Sequence, residues 1–262
     1  MKKIMMLLAV AVLMLGMSGQ AMAVSSQYFK EGDVVRVVYF NGTGGTGTGT
    51  EYLTDLGPVT SLTSPTMQNI LWNYSNFSLS NLGAGATWAN SFVGYYSVAL
   101  GGPNGLQAWV SGGNAAPGGQ SNAGDSNFNN IYDGATNVNG AAQVAGGLTH
   151  QSVTLAQNNA NSYYSKMNIN GSGTGVMAGF LNGMGNGKAD QNLAALATTG
   201  YVDQILYYYG NPDSASDGTP IGVLRTWADG HSELNPTPVP ATFLLFGSGL
   251  LGLVGIRRKQ AV

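Results

Sequence analysis

The sequence predicts a mainly β protein: a single β-sandwich-like extracellular domain with Gly/Asn-rich loops and short helical insertions, followed by a C-terminal transmembrane helix. Three observations lead there. Short β-branched and aromatic runs such as Val34–Phe40 recur between clusters of Gly, Asn and Pro, the signature of strands joined by tight turns. Charged residues make up only 8% of the chain while aromatics reach 10%. That composition is too apolar for a disordered polymer and too sparsely charged for an ordinary cytosolic domain. The two ends are apolar in ways the middle is not, so they are separate from the folded body.

The N-terminal end, residues 1–23, has the three parts of a secretory signal peptide. Lys2 and Lys3 supply the charge and Ile4 to Leu15 the apolar core, with Ala21 and Ala23 placed for signal-peptidase cleavage after Ala23. The apolar core is shorter than the roughly 20 residues of a spanning helix, which favours a cleaved leader over an anchor. Export is therefore expected.

The body, 24–235, opens with a strand at Val34–Phe40, a Gly/Thr loop over 42–50 and a partner strand at Tyr52–Leu56. Ser91–Leu100 and Leu106–Ser111 flank Gly101-Gly102-Pro103-Asn104-Gly105, which supplies the dihedrals of a tight reversal; these form a hairpin. The Gly-, Asn- and Ala-rich stretch 112–147 reads as a long loop, or several turns around a short segment near Phe128–Tyr132. Two pieces read as helical: Val153–Met167, and Ala189–Ala197, where Leu193 and Leu196 share a face at i,i+3. Strand character returns in Tyr201–Tyr209 and Ile221–Trp227, the latter closed by an Asp229-Gly230 turn.

Several chemistries are excluded or left without support. There is no cysteine, hence no disulfide, thiolate zinc site or cysteine nucleophile. All twelve acids but only five of the ten basic residues fall between 24 and 237, a net −7 against −2 for the chain. Nucleic acid is not an expected partner of so acidic a body. No nucleophile elbow, zincin motif or phosphate-binding loop occurs, so no catalytic residue is assigned and a non-enzyme is expected. His150 and His231 are far apart in sequence and read as turn or surface histidines. Asp203, Asp229 and Glu233, near strand ends, are the carboxylates from which a glycoside hydrolase pair would be drawn. No cofactor is expected; Ca²⁺ is the one candidate ion. Its loop-like oxygens are Asp125, Asn127 and Asn129 in one stretch and Asp213 and Asp217 in another. Each pattern lacks positions of a full calcium loop, and a hydrated Asx turn is favoured. The clusters Tyr95-Tyr96, Tyr163-Tyr164 and Tyr207-Tyr208-Tyr209 read as core in preference to sugar platforms.

The C-terminal end, 236–262, divides into a Pro-rich linker (236–240), an uncharged apolar run (241–256) that reads as transmembrane, and a basic tail (257–262). The basic side stays cytoplasmic, which leaves the body outside. The order of Pro238, Pro240, Ala241, Thr242, a glycine-containing apolar segment and Arg257-Arg258 resembles the PEP-CTERM sorting signal; Val239 stands where the namesake pattern has Glu. The resemblance covers this C-terminal end alone. It implies an exported protein of a Gram-negative bacterium, held at the inner membrane in transit and processed by a membrane enzyme, exosortase, before reaching the cell surface or extracellular matrix. It also implies a setting of biofilm and exopolysaccharide, with extracellular polysaccharide as a partner. The leading expectation is thus a non-enzymatic cell-surface or biofilm-matrix protein. The alternatives are a secreted carbohydrate-active hydrolase or sugar-binding protein with the same tail, and a permanently tail-anchored envelope protein.

Overall fold

The computed structural model describes residues 28–40, 49–72, 76–101, 105–112, 125–146, 151–167, 190–210 and 218–236, with the side chains of 125–128 left aside. The expected leader, most of the Gly/Thr loop and the 237–262 tail lie outside these residues. Among the described residues, ten strands form one antiparallel sheet: β1 (Asp33–Phe40), β2 (Thr50–Pro58), β3 (Ile70–Trp72), β4 (Ser91–Leu100), β5 (Leu106–Gly112), β6 (Ser152–Ala156), β7 (Gln191–Asn192), β8 (Tyr201–Tyr209), β9 (Thr219–Trp227) and β10 (Ser232–Leu234). They are ordered β3-β10-β9-β8-β5-β4-β1-β2-β6, with β7 beside the start of β4. The mainly β expectation holds. In place of two stacked sheets, however, one continuous sheet curls on itself.

The curl follows from a distance. Five strand steps separate β1 from β10, about 24 Å in a flat sheet at ~4.8 Å per step. Yet Nη1 of Arg36 in β1 donates to Gly230 O at 2.7 Å and to Ser232 Oγ at 2.8 Å. The sheet therefore bends until its β9–β10 end faces β1. Inside the curl, Val34, Val38, Val93, Trp109, Leu206, Leu224, Leu234 and Trp72 form one apolar cluster. On the outer face, Val35, Val37, Tyr39, Tyr96, Val98, Val110 and Tyr207 form another. The two sets alternate along β1 and β4, as the period of two demands when both faces of a strand are covered.

The outer layer is a helix where a loop was expected. The 22-residue α1 (Asp125–Gly146) lies across the outer cluster on Ile131, Ala135, Val138 and Ala142. Their spacing of four, three and four is helical, but two of the four are alanines, and Asn and Gly lower the intrinsic propensity of the segment. Packing on the sheet supplies what the sequence lacks: Asn139 Oδ1 accepts from the Tyr96 hydroxyl at 2.7 Å, and Gln143 Nε2 donates to Tyr28 O and Phe29 O, both at 3.1 Å. The expected helix over 153–167 divides into β6, where buried Val153 and Leu155 alternate with exposed Thr154 and Ala156, and the single-turn α2 (Tyr163–Lys166), capped by Ser162. In the expected helix over 189–197, Ala189 lies outside the described residues, and from 190 the chain pairs as β7 and then makes a 3₁₀ turn at Ala194–Ala197, burying Leu193 and Leu196 together as their spacing predicted. The β4–β5 hairpin, β8, β9 and the Asp229-Gly230 turn form where the sequence placed them. Gly230 sits at φ +89, and a Cβ there would lie 2.0 Å from Phe77 O. Both the dihedral and the close approach therefore call for glycine in this turn.

Arg36→Met keeps the apolar stem but leaves Ser232 and Gly230 O without their buried donor. It is expected to lower unfolding free energy by about 2–4 kcal/mol in urea titrations, given the usual cost of orphaning hydrogen bonds to a charged group. A loss under about 0.5 kcal/mol would remove the guanidinium as the closing contact of the curl.

Candidate functional site

Two polar constructions are built on this sheet, one on the surface and one inside. The first lies on the outer face, where the Tyr201–Asp203 end of β8 meets β9 and β10. Register sets Tyr201 opposite Trp227, Asp203 opposite Arg225, and Arg225 opposite Glu233. Arg225 makes a two-pronged pair with Asp203, Nε to Oδ1 at 2.7 Å and Nη2 to Oδ2 at 2.8 Å, while its guanidinium lies 3.9 Å from the Tyr201 ring centre. Trp227 stacks on His231 with centroids 5.4 Å apart, and its indole N–H donates to Glu233 Oε2 at 3.0 Å. His231 Nδ1 lies 2.5 Å from Asp229 Oδ1. The tertiary structure thus gathers Asp203, Asp229, His231 and Glu233, all singled out from sequence, but each carboxylate is engaged by a neighbour. Tyr201, Arg225 and Trp227 were not anticipated; the signal was present in the period-two patterning of β8 and β9, though register was needed to bring them together.

The second construction is buried. Glu51 of β2 accepts from the Tyr163 and Tyr164 amides at 2.7 and 3.0 Å, and burial pushes its carboxyl from 4.5 to about 8 despite those donors. Asp55 accepts from the Phe29 and Gly57 amides and meets Asp33; burial, then the neighbouring Asp33 charge, pushes it from 3.8 to about 7. Asp33 is raised as well, by burial. Asp190 accepts from the Tyr39 and Tyr163 hydroxyls, each at 2.6 Å, and fits because residue 94 is Gly: a Cβ there would stand 2.4 Å from Asp190 Oδ1. These carboxylates join the N-terminal strap 28–32, β1, β2 and α2 to one another. They are structural fasteners inside the protein.

Asp125, Asn127 and Asn129 fall in the first turns of α1; the side chains of Asp125 and Asn127 lie outside the described ones, and Asn129 is exposed. Asp213, Asp217, His150, Ala21, Ala23, Pro238, Pro240, Ala241, Thr242, Arg257 and Arg258 lie outside the described residues. Among the described residues no three His, Asp or Glu side chains gather as metal ligands would, and no helix is long and apolar enough to cross a membrane; the 241–256 run was not among those residues. Of the paired tyrosines, Tyr95, Tyr96, Tyr163, Tyr207 and Tyr209 are buried, as the core reading required.

The Glu51 and Asp55 carboxyls hold their protons more tightly in the folded chain than in the unfolded one. Their contribution to stability is therefore complete below their ordinary values near 4 and is lost as pH rises through about 7 for Asp55 and about 8 for Glu51. The urea midpoint is expected to fall between about pH 5 and about pH 8.5, and the double variant Asp55→Asn/Glu51→Gln to flatten that decline. By contrast, Arg225→Ala is expected to cost under about 1 kcal/mol, because its pair with Asp203 is part-exposed and screened.

Comparison with known proteins bears on the C-terminal end. No curated protein and no solved structure matches the chain. Residues 236–259 match the model of the PEP-CTERM protein-sorting motif, and this tail supports an exported protein sorted to the cell surface by exosortase, a membrane enzyme.

Proposed function

We propose that the chain is a non-enzymatic cell-surface or biofilm-matrix protein of a Gram-negative bacterium, whose tail is removed or exchanged by exosortase after export. The observation that carries this reading is the sorting motif at 236–259, which begins within two residues of the last strand of the body. A signal-peptide-like leader at the other end of the chain agrees with it. Inner-membrane anchoring in transit, through the 241–256 run, and a setting among extracellular polysaccharide belong to the same proposal.

The non-enzymatic part rests on how the polar groups are used. Asp203 is held by Arg225, Glu233 by the Trp227 indole and Asp229 by His231, which leaves no carboxylate of that cluster poised as acid or nucleophile. Of two grooves along α1, the one lined by Thr136, Asn137, Val144, Leu155, Asn159 and Asn161 holds no titratable side chain among the described residues, while in the other, beside Lys30, Glu31 is engaged by the Tyr132 hydroxyl at 3.1 Å. Arg225 and His231 occupy ring faces of Tyr201 and Trp227 that a sugar would otherwise stack on.

Intact mass of the protein recovered from its native host and from a host lacking exosortase tests the reading. Loss of a C-terminal piece starting near Pro238–Thr242, in the native host alone, is expected. Retention of residues 241–262 in both hosts would make the run a plain anchor and end the sorting proposal.

A further inference from the structure

The last described strand ends just before the sorting motif begins, and one residue ends it. β10 is three residues long but lies inside the sheet, with Ser232, Glu233 and Leu234 paired to Thr226, Arg225 and Leu224 of β9 on one side and to Trp72, Leu71 and Ile70 of β3 on the other. Ser232 Oγ also accepts from Arg36 and lies 2.8 Å from the Tyr95 hydroxyl in the interior. The next residue, Asn235, adopts φ +53. This is a left-handed conformation that Asn tolerates better than other side-chain-bearing residues. That turn ends the strand.

Asn235 is fixed by three hydrogen bonds. Its N–H donates to Val223 O at 2.7 Å, its Oδ1 accepts from the Val223 N–H at 2.9 Å, and its Nδ2 donates to Thr66 O at 2.6 Å. Thr66 N in turn donates to Ile221 O at 3.0 Å, so the segment leading into β3 is drawn into the same knot. Room for the amide exists because residue 222 is glycine: a Cβ there would lie 2.1 Å from Asn235 Oδ1. One side chain therefore ties the end of β10 to β9 and to the approach to β3.

We propose that Asn235 is the stop that sets where the folded body ends and the processable tail begins, so that cleavage is confined to residues beyond it and the body keeps its fold once the tail is gone. This rests on the sorting reading of 236–259. Enzymes that cut or transfer peptides take an extended segment whose backbone groups are free to pair with the enzyme. The groups of 232–235 are already used within the sheet. Delivering them to an active site means lifting β10 from between β9 and β3 and breaking the Arg36–Ser232 and Tyr95–Ser232 contacts.

The test is digestion of the full chain, in detergent, with a protease of broad specificity, the C-terminal edge of the resistant body being read by intact mass. The wild-type edge is expected at 235–237. Asn235→Ala and Gly222→Ala, the second displacing the amide without altering residue 235, are expected to speed cleavage within β10 on the order of tenfold, the factor that two lost hydrogen bonds imply when cutting follows local opening. Asn235→Gly keeps the positive φ and lacks the amide; it is expected to match Asn235→Ala, and it carries the test if the alanine variant does not fold. A wild-type edge inside β10, or variants cut at the wild-type rate and position, would overturn the proposal. Because no exosortase takes part, failure of the sorting reading would leave this edge at 235–237 while the host-dependent mass difference vanished.

Discussion

Arg36 lies with no exposed surface between β1 and the β9–β10 turn, and its guanidinium reaches Gly230 O, Ser232 Oγ and Thr54 Oγ1 while facing the Phe77 ring at 4.9 Å. Removing a cation from water is costly unless its donors are met, so these partners have to be held in place whenever the chain is folded. They come from distant parts of the sequence. Satisfying them brings the two limbs of the sheet face to face, which is the same condition that encloses Trp72, Trp109, Leu224 and Leu234. Tyr95 extends the arrangement: its hydroxyl lies 2.5 Å from Thr226 Oγ1 and 2.8 Å from Ser232 Oγ, with its own acidity held down by burial. A polar knot in the apolar interior specifies which curl forms, a role apolar contacts fill less selectively because they have no direction.

Closure of the curl divides the surface into two regions with different demands. Over β1, β4, β5, β2 and β6 the outer face is apolar and carries α1, α2 and a cluster of tyrosines around Asp190. Over β9, β10 and the Tyr201–Asp203 end of β8 the same face carries residues that tolerate water: the Asp203–Arg225–Glu233 row and the Tyr201–Trp227–His231 stack. The last described strand, β10, belongs to this second region and is interior to the sheet, since β3 covers it on its far side and leaves it no open edge.

Much of this was legible in the residues. β-Branched and aromatic runs with period-two alternation located β1, β2, β4, β5, β8 and β9, because a strand covered on one or both faces must place its apolar residues in that rhythm. Helix α1 was not legible, since its contact stripe relies on Ala135 and Ala142, whose small side chains register weakly in any hydropathy pattern and act only when a flat apolar surface lies beneath them. Likewise β6 and α2 divide a segment that looks continuous, because pairing with β2 decides its conformation against its local preference.

The sequence by itself determined the address of this protein and the class of its fold. Both are written in contiguous stretches: Pro238, Pro240, Ala241, Thr242 and the Arg257-Arg258 end are read in order along the chain, and strand periodicity is a local property. Only the tertiary structure decided that one sheet curls where two would stack, that Arg36 meets Ser232, that Asp203, Arg225, Trp227 and Glu233 share a face, and that Asn235 ties the end of β10 to β9 and Thr66. Each of those depends on register or on contact between residues far apart in the chain. A single sequence carries periodicity within a segment, but which segments become neighbours is settled by burial and hydrogen bonding across the whole fold.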